Sequence, residues 1–150
     1  MIEASQWIAI WAAGLFSGAA LYVSLVEHPA RMQCGTLLAL TEFGPSYERG
    51  AAMQATLAVV GTLAGVAAGV AAGLTSGSTA WLTGSLLLFL VVPFTLIAIF
   101  PTNHKLLDPA LDRSAPEAHR LLVRWGRLHE VRTVLSLGAF IVFVLASRRT

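Results

Sequence analysis

Two stretches of this chain carry no Asp, Glu, Lys or Arg: residues 4–26 and residues 50–103. The first matches one bilayer crossing, which takes roughly 20 apolar residues. The second is too long for one crossing, and "GLTSGSTA" at residues 73–80 divides it with small, turn-favouring residues. A further apolar run fills residues 133–147, with His129, Glu130 and Arg132 pressed against its start. The pattern therefore predicts four membrane helices, at about 6–26, 51–74, 80–100 and 129–147. The first lacks the basic leader of a secretory signal and reads as a retained helix.

Backbone in lipid must satisfy its own hydrogen bonds, so four crossings with short links predict an antiparallel helical bundle. The expected fold is all-α, one domain over residues 1–150, with polar connections 27–50 and 101–128 on the same side. Pro29 is expected to stop the first helix and Pro101 to break the third. Between Pro29 and Gly50 the amphipathic segment, interrupted by Gly44-Pro45, is expected to lie along the interface as a lid. Tyr47, Glu48 and Arg49 then open the second helix. Gly61, Gly65, Gly69 and Gly73 recur at a strict spacing of four, which permits close backbone approach in lipid. That face could pack on the protein's own helices or mate with a second copy as a homo-oligomer.

The fourth helix is the long one and is expected to project from the membrane. Ser114 and Glu117 form a capping-box pattern with a proline inside the first turn. Leu121, Trp125, Leu128, Arg132, Leu135 and Ala139 share one stripe, and Arg132 is its sole charged member. The charge-free part spans about 22 Å at 1.5 Å per residue, short of a roughly 30 Å hydrocarbon core. The turn before it is drawn in, so Arg132 points inward, where an arginine needs a partner or water. Arg120, Arg124 and Arg127 fall on a different face, solvated or against headgroups.

Composition agrees with a membrane class. Only 12% of the 150 residues are charged and 56% are hydrophobic, with mean hydropathy +0.72. A soluble domain carries about twice that charge. The pI of 9.2 does not point to nucleic acid, because the basic residues are few and sit beside apolar runs. Membrane lipid and a hydrophobic small molecule are the expected partners. The single cysteine, Cys34, excludes an internal disulfide and reads as a small buried residue. Eight of the ten basic residues fall in the 27–49 and 101–132 stretches, which share one side of the membrane. By the positive-inside rule that side faces the cytoplasm and both termini lie outside, in a bacterial inner membrane.

Candidate chemistry gathers at the same end. The first helix delivers Tyr22, Glu27 and His28; the third delivers Asn103 and His104; the fourth delivers Trp125, His129 and Arg132. Histidine is a common metal ligand and a proton carrier near neutrality. His28, His104 and His129, one from each of three helices, could hold a metal. Interfacial histidines making local hydrogen bonds explain the same residues more plainly. His119 lies too far out.

"EHPAR" ending the first helix, "PTNHKL" after the third, and "LLVRWGRLHEVR" entering the fourth resemble the anthrone oxygenase-like family of small four-helix membrane proteins. The likeness spans nearly the whole chain, and its most specific part joins Asn103 to the Trp125–His129–Arg132 spacing. The resemblance implies oxidation of a hydrophobic aromatic, an anthrone-, polyketide- or quinol-like molecule, with molecular oxygen as co-substrate. On that reading His129, Arg132, Asn103 and His28 are catalytic, with His129 or His28 as base. Trp125, Tyr22 and Glu27 bind substrate. A metal or haem would recast the histidines as ligands. Two non-enzymatic readings stand beside it: a module that binds a quinone, haem or lipid without turnover, and a structural bundle that docks a partner through its glycine face.

Overall fold

A computed structural model describes residues 2–73 and 76–148. Four helices account for nearly all of them: α1 (Glu3–Gln33), α2 (Thr36–Ala71), α3 (Gly77–Leu106) and α4 (Pro116–Ala146). Each is long and apolar enough to cross a bilayer. α1 packs on α2 and α4, and α3 packs on the same two, so the helices close a ring with α1 and α3 at opposite corners. This is the antiparallel membrane bundle that the hydrophobic pattern predicts. At 1.5 Å per residue, 30 to 36 residues reach about 45–54 Å, so every helix outruns a roughly 30 Å hydrocarbon core.

Both proline expectations need correction. α1 continues through Pro29 to Gln33, and α3 continues through Pro101 to Leu106. A proline inside a helix lacks the N–H for its i−4 bond and its ring crowds that carbonyl. Each helix meets the problem one turn earlier with a wide π-turn, Val23–Glu27 and Thr95–Ile99. There the N–H of His28 reaches back to the Val23 carbonyl, and that of Phe100 to the Thr95 carbonyl. The surplus residue loosens the ladder and rotates everything beyond it. α1 ends at Gln33 instead, and the chain turns at Gly35, whose φ of +88° suits glycine. The exposed Cys34 lies in this two-residue link, not in the core.

The segment before Gly50 is also continuous helix. α2 starts at Thr36 and carries Pro45 within it, so it does not form a separate lid. Glu48 is an exposed mid-helix residue, not an N-terminal one. At the start of α4 the cap is Ala115, with no side-chain bond. Asp112 has captured Ser114 by accepting from its N–H (2.9 Å) and its hydroxyl (2.6 Å). These bonds hold the exposed Asp112 carboxyl below the usual range.

The glycine row is consumed inside the bundle. A Cβ on Gly61 would lie 2.7 Å from Leu88, one on Gly65 would lie 2.3 Å from the Ser85 hydroxyl, and one on Gly69 would lie 2.9 Å from Leu82. Gly73 instead takes φ +66° just past α2. At Gly61, Gly65 and Gly69 the face therefore packs on the protein's own helices, the first of the two alternatives. Around these contacts lies one apolar cluster, including Phe16, Trp81, Leu88 and Phe143. A second, around Phe43, Ile99, Leu122 and Trp125, occupies the polar end.

Candidate functional site

Between the two clusters the four helices leave a cavity of about 240 Å³. Phe16, Ala58 and Val91 bound it from one cluster; Phe43, Ile99 and Trp125 bound it from the other. Most of its wall is apolar. Ala55 of α2 and Leu96 of α3 line it while remaining exposed, which marks a mouth between these helices on the lipid side. The α3 π-turn, which holds Thr95, Leu96 and Ile99, shapes that wall.

Polar groups enter the cavity from every helix. α4 brings His129 and Arg132, α3 brings Asn103, α2 brings Gln54, Ser46 and Tyr47, and α1 brings Glu27 and Arg31. His129 is buried, and its Nδ1 lies 3.1 Å from the Ser24 hydroxyl. Ser24 in turn sits 2.8 Å from the Thr133 hydroxyl, which reaches the Ala20 carbonyl at 3.2 Å and the His129 carbonyl at 3.1 Å. Carbonyls only accept, so Thr133 donates to them, Ser24 donates to Thr133, and His129 Nδ1–H donates to Ser24. That proton order leaves the lone pair on Nε2, which has no protein partner among the described residues. The α1 π-turn contains Ser24 and so sets the tautomer on α4.

Arg132 lies over the Phe16 ring, 5.5 Å from its centroid, and donates through Nη2 to Gln54 Oε1. Its Nε is buried without an acceptor among the described residues. Among the described residues no carboxylate pairs with it. Arg31 contrasts: it pairs with Glu27 and Glu42, and Ser46 also donates to Glu27, at 2.9 Å. One guanidinium is therefore balanced and the other is not. Asn103 is 2% exposed and its Oδ1 has no partner among the described residues. Trp125 lies between two imidazoles, with ring centres 5.2 Å from His28 and 4.9 Å from His129. It also meets Phe43 edge-on at 5.3 Å.

Several predicted residues thus converge on one chamber: Asn103, Trp125, His129, Arg132 and Glu27. Three do not. Tyr22 is 55% exposed on the outer face, because the π-turn begins only after it and leaves it on α1's lipid side. His28 is buried behind Trp125, against Gly126 of α4, and does not line the cavity. His104 is exposed and packs edge-on against Phe100 of its own helix. Among the described residues no three His, Cys, Asp or Glu side chains gather to hold a metal. The indole between His28 and His129 separates two of the expected ligands, and the donor set does not fit an ion. Arg120, Arg124 and Arg127 are exposed, as the helical stripe predicts.

The pattern missed Ser24, Gln54, Thr133 and the role of Arg31. Gln54 carried a legible signal, as a lone amide in an otherwise apolar crossing. Ser24 did not, since its aim depends on the π-turn.

A family model described as anthrone oxygenase matches residues 43–142, which is most of α2, all of α3 and most of α4. The chain belongs to the anthrone oxygenase family. It is 30% identical over 139 residues to the Anthrone oxygenase tpcL of Aspergillus fumigatus, an alignment covering 89% of this chain and 86% of that protein. No solved structure is similar. The part matched by the anthrone oxygenase model contains Gln54, Asn103, Trp125, His129 and Arg132. The α1 residues Ser24, Glu27 and Arg31 lie outside it.

Proposed function

We propose that this protein oxidises a flat, apolar aromatic of anthrone or quinol type with molecular oxygen, inside the cavity between its membrane helices. The observation that carries this reading is the pairing of a histidine poised as base with an arginine lacking a carboxylate, both in one apolar chamber. A cavity of about 240 Å³ lies just under the range of about 300–1,000 Å³ seen for drug-sized ligands, which suits a small planar molecule. The relative from Aspergillus fumigatus, named an anthrone oxygenase, supports the reaction class.

An anthrone is a carbon acid, and its conjugate base is an electron-rich aromatic oxyanion. His129 Nε2 takes one proton from the methylene carbon. The negative charge then sits on the oxygen, where the Arg132 guanidinium and the Asn103 amide N–H stabilise it. Trp125 offers its face to the rings. The anion gives its electron pair to oxygen in single-electron steps. A C–O bond forms, and the peroxide takes a proton from the imidazolium. Removal of the second methylene proton expels hydroxide from the O–O bond, leaving a carbonyl and, after protonation, water. The balance is CH2 + O2 → C=O + H2O, and no further reductant is consumed. The dry wall keeps competing water from the carbanion.

Anthrone oxidation by purified protein in detergent, followed by oxygen uptake and quinone absorbance, tests this. His129→Ala should slow it by about 10²–10⁴-fold, and Arg132→Ala by about 10²–10³-fold. Full activity in both variants rejects the assignment.

A further inference from the structure

The two guanidiniums on the cavity wall differ in how their charge is met. Arg31 is matched by Glu27 and Glu42. Among the described residues Arg132 finds only the neutral amide of Gln54 and the face of Phe16. Beyond Arg132, α4 contributes only His129 to the chamber as a titratable group, α2 only Tyr47, and α1 only the mutually paired Glu27 and Arg31. α3 contributes none, presenting Asn103 instead. A cation held among apolar side chains without a counter-ion is costly unless a ligand supplies the charge. On the wall of the same cavity stands an amide whose acceptor, Asn103 Oδ1, is unused among the described residues. An acceptor asks for a hydroxyl, and a guanidinium asks for an oxyanion.

We propose that the cavity binds its aromatic ligand as a monoanion, with an ionised oxygen on Arg132 and a neutral hydroxyl on Asn103. This rests on the proposed function and narrows its substrate to hydroxylated aromatics acidic enough to ionise on binding. Ionisation before oxygen arrives also gives the electron-rich form that reacts with it. The proton released on binding leaves through the mouth, so Nε2 of His129 stays free for the methylene proton.

A dihydroxyanthraquinone tests the binding alone. It belongs to the product class, does not turn over, and its neutral and singly ionised forms absorb at different visible wavelengths. The dye is titrated with pH in detergent micelles with and without protein. Bound to the unaltered protein, its anion should be favoured about tenfold or more over empty micelles, a shift of one pH unit or more. Arg132→Gln should abolish the shift and Arg132→Lys should keep most of it. His129→Gln should also keep it, since the charge lies on Arg132. Monodisperse elution of each variant confirms folding.

Dye that fails to bind, dye bound with its neutral spectrum, or an undiminished shift in R132Q overturns the proposal. So does loss of the shift in R132K. Anthrone oxidation is measured on the same preparations. Oxidation without the anionic spectrum removes this inference and leaves the oxygenase standing. The anionic spectrum without oxidation removes the oxygenase and leaves an anion-binding chamber.

Discussion

Gln54 is the sole hydrogen-bond acceptor that Arg132 has among the described residues. Replacing it by leucine preserves volume but strips a buried cation of its partner, a change that costs about 1–3 kcal/mol. Gln54→Leu should lower the thermal midpoint in detergent accordingly. Gly126 shows the opposite hazard. A Cβ there would stand 2.5 Å from His28 Nε2, and His28 is pressed against Trp125, so the imidazole has nowhere to retreat. Gly126→Ala should cost about 1–3 kcal/mol by overpacking, despite alanine's better helix propensity. Gly18, with nothing within 4 Å, is the control, where alanine should be neutral or gain up to about 1 kcal/mol. Thermal unfolding of both variants, monitored by circular dichroism, checks the contrast. At this scale the sequence was informative about residues on α4, where a regular 3.6-residue period fixes which side chains share a face. Trp125, His129 and Arg132 stand together as that period requires. It was misleading on α1, where Tyr22 and His28 flank a π-turn that shifts the phase.

The helices themselves were legible as charge-free runs, because a bilayer crossing tolerates few ions. Their ends were not. Pro29, Pro45 and Pro101 all lie inside helices; before Pro29 and Pro101 a local widening absorbs what proline forbids and leaves no mark in composition. Likewise Ser114 has the right spacing to cap α4, but Asp112 competes for it locally. The glycine row was readable as a packing face but not as to its partner, because an intramolecular and an intermolecular groove need the same residues. Gly65 separates the two. Its added Cβ would press on Ser85 of α3 and on Phe143 of α4, at 2.3 and 2.7 Å. Gly65→Ala should cost about 1–3 kcal/mol and so lower the thermal midpoint, while light scattering shows an unchanged particle mass. A lost oligomer with unchanged melting would assign the row to a partner instead.

Across the whole molecule, polarity is sorted to one end. Glu27, Arg31, Asn103 and the α4 arginines lie with the 34–35 and 107–115 links, and the Gly61–Gly69 packing lies toward the other end. Trp7 and Trp11, 60% and 65% exposed, sit near the start of α1 on the far side. Such rings favour the headgroup level of a bilayer. Basic excess at the polar end favours the cytoplasm for it, and Cys34 makes this measurable without engineering. It is exposed, lies at the polar end, and is the chain's sole cysteine. A membrane-impermeant maleimide should leave Cys34 unlabelled in intact cells and label it after the membrane is opened. Labelling of intact cells reverses the orientation.

The surplus residues in α1 and α3 have a consequence for how such a chamber can change. A single inserted position turns one end of a rod by about a quarter-turn or more and leaves the other end seated. The half anchored by glycines stays in place while a new set of side chains swings toward the vacancy. Family members that have gained or lost one residue in these two windows would keep the same scaffold and present different chemistry to their guests.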